Sequence, residues 1–165
     1  MFKKFIFLIL LGQMTAQAQE DLSYVRNEFH KNTEQSLENI INLKLTEGAE
    51  YNQILAYVGA SNAKMASYVS SPISKLKYFN KGKTKLNESL AKKKSVESVY
   101  LRLLIQLNAP SFLNYNDFIE EDLSFFENNI TTDPLPVKFK KEMIDNLKAS
   151  NTKSSLNARL YNIKF

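Results

Sequence analysis

Apolar residues recur at intervals of three and four along most of this chain, and no stretch sustains the alternation of a half-buried strand. Seven helical segments follow from that periodicity. The first runs from about Asp21 to Leu45, with Leu22, Val25, Phe29, Leu37, Ile40, Ile41 and Lys44 near helical spacing and a polar gap over Lys31 to Ser36. Gly48 predicts a left-handed cap beyond it. The second, Tyr51 to Val69, carries a track of small residues, Ala56, Gly59, Ala60, Ala63 and Ala66, that lets a neighbouring helix backbone come close or lines a groove for a small ligand. It ends before Pro72, because the residue ahead of a proline disfavours the α region.

The third segment, Ile73 to Lys93, has Leu76, Phe79, Leu86 and Leu90 as its predicted buried stripe. The fourth, Ser95 to Leu107, buries Val96, Tyr100, Leu103, Leu104 and Leu107, with Ser95, Ser98, Arg102 and Gln106 on the other face. Ala109-Pro110 breaks it. The fifth spans Asn116 to Asn128, with Phe118, Ile119, Leu123, Phe126 and Ile130 at core spacing. Pro136 suits the first turn of the sixth, Val137 to Ala149, which buries Phe139, Met143, Ile144 and Leu147. Leu156, Leu160 and Ile163 mark a short last helix over Ser155 to Ile163. The fold expected is all-α: antiparallel helical hairpins in a loose array or bundle, forming a single domain over residues 19–165.

The first eighteen residues belong to a different category. Lys3 and Lys4 precede an unbroken apolar run from Phe5 to Leu11, and Ala16-Gln17-Ala18 has the small–x–small pattern cut by a signal peptidase. This is the form of a secretory signal peptide, residues 1–18, with cleavage leaving Gln19 first. The run is far shorter than the roughly 20 residues of a membrane span, so no transmembrane anchor is expected in the mature form. The predicted address is periplasmic or secreted. Cysteine is absent, so packing alone holds the fold, and the scarcity of glycine argues against an all-β protein. Loss of Lys3 and Lys4 lowers the formal charge from +5 to +3, too weakly basic to indicate nucleic acid or membrane binding by itself.

Charge is segregated within the chain. Lys75, Lys77, Lys81, Lys83, Lys85, Lys92, Lys93 and Lys94 crowd the third segment, with Glu88 the only acid, whereas Asn108 to Pro136 contains acids and no lysine or arginine. Lys77, Lys81, Lys85 and Lys92 are the candidate face for an acidic partner, such as an envelope component; the bland alternative is a face that only solubilises. A second candidate is polar: Arg102, Gln106, Asn108 and Tyr115 surround the Ala109-Pro110 break. A buried guanidinium requires a carboxylate, and Asp117, Glu120, Glu121 and Asp122 follow closely. This group reads as a structural clasp in the first place and as the floor of a ligand site in the second.

Signals of catalysis or metal binding are weak. Ser61-Asn-Ala-Lys64 and Ser74-Lys-Leu-Lys77 fit a Ser-x-x-Lys pattern, but the partner motifs Ser-Asp-Asn and Lys-Thr-Gly are absent. His30 is the only histidine, and Glu120-Glu121-Asp122 lacks the alternation and central glycine of an EF-hand loop. No catalytic residue, metal ligand or cofactor is assigned.

Ile54-Leu-Ala-Tyr-Val-Gly-Ala60, Ile73-Ser-Lys-Leu-Lys-Tyr-Phe79 and Val99-Tyr-Leu-Arg-Leu-Leu-Ile-Gln-Leu-Asn-Ala-Pro-Ser-Phe-Leu-Asn-Tyr115 together give the chain a resemblance. Over Gln53 to Leu123 it resembles a group of small, uncharacterised exported bacterial helical proteins that look like degenerate tetratricopeptide-type hairpins. The match is carried by Arg102, Gln106, Asn108, Pro110, Phe112, Leu113 and Tyr115. Lys94-Ser95 stands where such repeats often place a proline, and no 34-residue period repeats. The resemblance implies stacked hairpins and export, and no activity. The expected function is a non-enzymatic scaffold for a partner protein or peptide; the alternative is an envelope-surface or small-ligand binder using the basic helix 73–94, with an enzyme a distant third.

Overall fold

The computed structural model describes residues 22–150 and 154–165, and those residues are all-helical, with no strand among them. The segment expected to be a signal peptide, residues 1–18, lies outside the described residues. The helices are α1 (22–31), α2 (Glu34–Ile41), α3 (Tyr51–Met65), α4 (Pro72–Lys92), α5 (Val96–Asn108), α6 (Ile119–Ile130), α7 (Val137–Ser150) and α8 (Ser154–Tyr161), with a 3₁₀ turn at Ser111–Leu113. Two compact units divide the chain between Ser89 and Leu90.

In the first unit, the long opening helix expected from periodicity is two helices. The polar gap is where it breaks: Asn32 takes a left-handed φ of 50°, and Thr33 is extended. Thr33 Oγ1 accepts from the Ser36 N–H at 3.2 Å, and Ser36 Oγ accepts from the Thr33 N–H at 2.9 Å. That reciprocal pair is a capping box with serine in place of the usual Glu or Gln, and it starts a new helix where a continuous one would strand polar side chains. α2 then ends at Ile41, with Asn42 as its cap. Gly48 has no positive φ, so the left-handed cap expected there is absent.

Leu22, Val25 and Phe29 of α1, Leu37 and Ile40 of α2, and Leu55 of α3 are buried. Phe29 meets Tyr57 edge-to-face at 5.3 Å. α2 packs on α3. The small-residue track of α3 receives α4: a Cβ placed on Gly82 would lie 2.5 Å from the Ala63 backbone nitrogen and 2.6 Å from the Gly59 carbonyl oxygen. A Cβ on Gly59 would lie 2.8 Å from the Leu86 nitrogen. Backbones this close need glycine at the crossing, so the track serves helix packing and is filled rather than open. Ser89 Oγ donates to the Asn52 carbonyl at 2.6 Å, a second tie between these helices. Phe79, Leu86 and Leu90 face inward as expected, but Leu76 is 48% exposed.

Lys64, also on α3, is half-buried with its ammonium 4.4 Å from the centre of the Phe29 ring. Burial lowers its pKa from the ordinary 10.5 to about 8. The protonated form therefore penalises folding below about 8, and that penalty disappears as pH rises toward 10.5. The shift corresponds to about 3 kcal/mol, which partial exposure and a cation–π attraction of about 0.5–1 kcal/mol reduce to about 1–2 kcal/mol. Lys64→Met should thus be the more stable chain by that amount near neutral pH. Urea midpoints of the two proteins should converge between pH 8 and 10.5. A gap independent of pH would show that packing, not charge, separates them.

In the second unit α5 packs on both α6 and α7, and α7 on α8. α5 is buried along almost its whole length, including polar positions Glu97, Ser98, Arg102 and Gln106. A helix enclosed on most sides belongs in the middle of its unit. Ser95 and Ser98 open it with a second serine capping box. Leu104 and Leu107 are only half-buried, because Arg102 and Gln106 take the enclosed face instead. Leu103, Leu123, Phe126, Met143, Leu147 and Leu160 form the apolar centre. The 131–136 loop is pinned by the buried Lys140, whose Nζ donates to the Thr131 and Asp133 carbonyls at 3.0 and 2.9 Å.

Candidate functional site

Arg102 projects from the middle of α5 toward the first turn of α6. Its Nε donates to Asp122 Oδ2 and its Nη2 to Asp122 Oδ1, each at 2.6 Å. Asp122 is fully buried and Arg102 is 6% exposed. The two-pronged geometry matches the planar guanidinium to the carboxylate and leaves little of either charge unsatisfied. Gln106, one turn along the same face, uses both ends of its amide. Its Nε2 donates to Asp122 Oδ2 at 3.1 Å, and its Oε1 accepts from the Phe118 backbone N–H at 3.2 Å. The N-terminus of α6 has no side-chain cap of its own, so a residue from α5 serves that role.

Two aromatic residues close this clasp. The Phe118 ring centre lies 4.4 Å from the Arg102 guanidinium carbon, which explains why Phe118 is 37% exposed instead of lying in the apolar centre. Tyr115 is buried, and burial pushes its hydroxyl pKa up to about 12, with Arg102 pulling it down and Asp122 pushing it up. Asn114, with φ 44°, turns the chain between the 3₁₀ segment and Tyr115. Asn108 is not brought in. It is exposed, and its Nδ2 donates to the Leu104 carbonyl at 2.7 Å on its own helix, since the end of α5 offers it a nearer backbone acceptor.

The acidic helix α6 is matched by cations within its unit. Lys94 Nζ lies 2.6 Å from Glu121 Oε1 and 3.9 Å from Asp122 Oδ1, and the Lys94 ammonium holds the Glu121 carboxyl below its usual range. Arg159 of α8 reaches Glu127 at 2.6 Å and Glu120 at 2.8 Å. Lys94 entered the sequence reading only as part of the basic run and Arg159 not at all, because their partners lie 27 and 32 or more residues away and periodicity carries no such pairing. Glu127, Thr131, Arg159, Asn162, Ile163 and Lys164 line an open depression of about 400 Å³, whose arginine is already committed to Glu127.

The exposed lysines in the first half of α4 differ. Lys75, Lys77 and Lys81 are exposed and Lys85 is half-buried, and none of the four makes an ion pair among the described residues. Lys92, exposed in the last turn, has interactions of its own. Lys77–Lys81 and Lys81–Lys85 are like-charge pairs four apart, each costing about 0.2–0.5 kcal/mol. The first turn of α4 contains no acid, and Lys75 and Lys77 stand near the helix end whose dipole disfavours cations. Ile73 and Leu76 are 82% and 48% exposed beside them.

His30 is exposed. Among the described residues no group of three or more His, Cys, Asp or Glu side chains converges on a point, and no helix is long and apolar enough to cross a membrane. Comparison with family models, with curated proteins and with solved structures finds no match.

Proposed function

We propose that this chain is an exported, non-enzymatic helical binding protein that docks on an acidic partner through the lysine face of α4. The observation that carries the reading is the uncompensated stack Lys77, Lys81, Lys85, contrasted with the acids of α6. Glu120, Glu121, Asp122 and Glu127 each have a cation partner. A chain that neutralises the acids of one helix and leaves a self-repelling lysine stack on another forgoes stability at that stack, and such local conflict is typical of functional surfaces. The Arg102–Asp122–Gln106 clasp serves as the joint between α5 and α6, since its polar groups are turned on one another.

Export rests on the form of residues 1–18. The packing of α2 on α3 and of α5 on α6 supports stacked hairpins of a loosely tetratricopeptide-like kind. The scaffold reading, in which such an array presents a concave groove to a protein or peptide, draws on fold-level analogy alone. The lysine face draws on named side chains and takes precedence, and an enzyme has no set of residues to support it.

The test uses Lys77→Gln, Lys81→Gln and Lys85→Gln together. Removal of two repulsive pairs should raise stability by about 0.5–1 kcal/mol, measured as the urea midpoint. The native chain should be retained by immobilised polyglutamate at low salt and released by added salt, and the triple variant should pass through. Equal passage of both proteins at low salt would remove the docking reading.

A further inference from the structure

Ile73, Leu76, Lys77, Asn80, Lys81 and Thr84 fall in the i, i+3, i+4, i+7, i+8, i+11 pattern of one face of α4, and all six are exposed. Phe79, Gly82 and Leu86 on the other side are buried. The outer face of α4 therefore has two parts. Near Pro72 it ends in a pair of apolar side chains one turn apart, and Lys77 and Lys81 continue it toward the middle of the helix. No acid appears on the helix before Glu88.

We infer that this face seats on an anionic lipid surface, with Ile73 and Leu76 entering the boundary between headgroups and acyl chains and Lys77 and Lys81 lying over the lipid phosphates. The inference rests on the lysine face being a docking surface and names its partner. Two observations select a lipid surface over an acidic protein. Ile73, at 82% exposure, has almost no protein around it, whereas a residue lining a peptide groove is largely covered by the groove's other walls. Apolar side chains flanked by lysines on a single exposed helix face are what an interfacial helix requires: the apolar pair leaves water, and the lysines, on long flexible stems, stay with the charged headgroups. A purely electrostatic contact would have no use for Ile73 and Leu76.

The experiment uses the exported protein as recovered, with its N-terminus established by mass spectrometry. It is sedimented with vesicles of phosphatidylcholine alone or of phosphatidylcholine and phosphatidylglycerol in equal parts. Binding is expected only with phosphatidylglycerol, and added salt should weaken it. Ile73→Ser with Leu76→Ser should reduce binding by about ten-fold for each side chain. Lys77→Gln and Lys81→Gln should reduce it by about five-fold each. Circular dichroism and urea midpoints confirm that the exposed substitutions leave the fold in place. Vesicle binding unaffected by the Ile73 and Leu76 changes would overturn the inference. Retention on polyglutamate without vesicle binding would also overturn it while leaving the docking reading intact. Failure to bind either would remove both.

Discussion

Arg102→Ala should remove about 3 kcal/mol or more of stability from the second unit. Asp122 is fully enclosed and takes both prongs of the guanidinium. Without Arg102 its carboxylate retains Gln106 at 3.1 Å and Lys94 at 3.9 Å. Those contacts place the loss toward the lower end of the range of about 3–5 kcal/mol for a broken buried pair. The distinguishing comparison is the double change Arg102→Met with Asp122→Leu. It removes both charges and fills the volume, so it should recover most of the loss or exceed the native stability. Hydrogen exchange of the α5 and α6 amides reads the effect in this unit alone. If the single variant lost less than about 1 kcal/mol, the pair would be behaving as an exposed one and the clasp would not hold α5 to α6.

Gly82→Ala should destabilise the first unit, against the usual preference of a helix for alanine. Within a helix that exchange gains about 1 kcal/mol. Here the added methyl would meet the Ala63 nitrogen at 2.5 Å, the Gly59 oxygen at 2.6 Å and Ala63 Cβ at 2.8 Å. Two of those three are backbone atoms, which cannot swing aside as a flexible side chain would. Overpacking costs about 1–3 kcal/mol where side chains can adjust, so a backbone obstacle belongs at or above the upper end. The net expectation is a loss of about 2 kcal/mol, seen as faster amide exchange in α3 and α4. Gly48→Ala is the control, since nothing lies within 4 Å of its added methyl. Equal effects at the two positions would mean that the helices move apart at little cost and that the close crossing is not a determinant of the fold.

Local chemistry determined the helical class and most helix positions. Periodicity of three and four marks which face of α6, α7 and α8 turns inward, and Leu123, Phe126, Ile130, Met143, Leu147 and Leu160 are buried as that rule requires. Small residues at Gly59, Ala60 and Ala63 marked α3 as a close-packing helix, because the absence of side-chain bulk is written in the sequence itself. An arginine amid leucines on α5 likewise signalled a buried carboxylate, since a lone guanidinium is too costly to enclose.

Only the tertiary structure decided the pairings. Four acids near the start of α6 were equivalent to a reader of sequence, and Asp122 became the partner because of where the α5–α6 turn places it. The break at Asn32 depended on Thr33 and Ser36 capping each other against the alternative of a continuous helix. Gly82 had no visible role until α4 was laid against α3. Leu76 lies on the apolar stripe by spacing, yet it is exposed, because periodicity states which residues share a face and not whether another element covers it. The same limit separates the two charged helices: each is a run of like charges in sequence, and the pairing of Glu120, Glu121, Asp122 and Glu127 on α6, against the lack of an ion pair at Lys77, Lys81 and Lys85 on α4, exists only once distant cations have been brought to the acids.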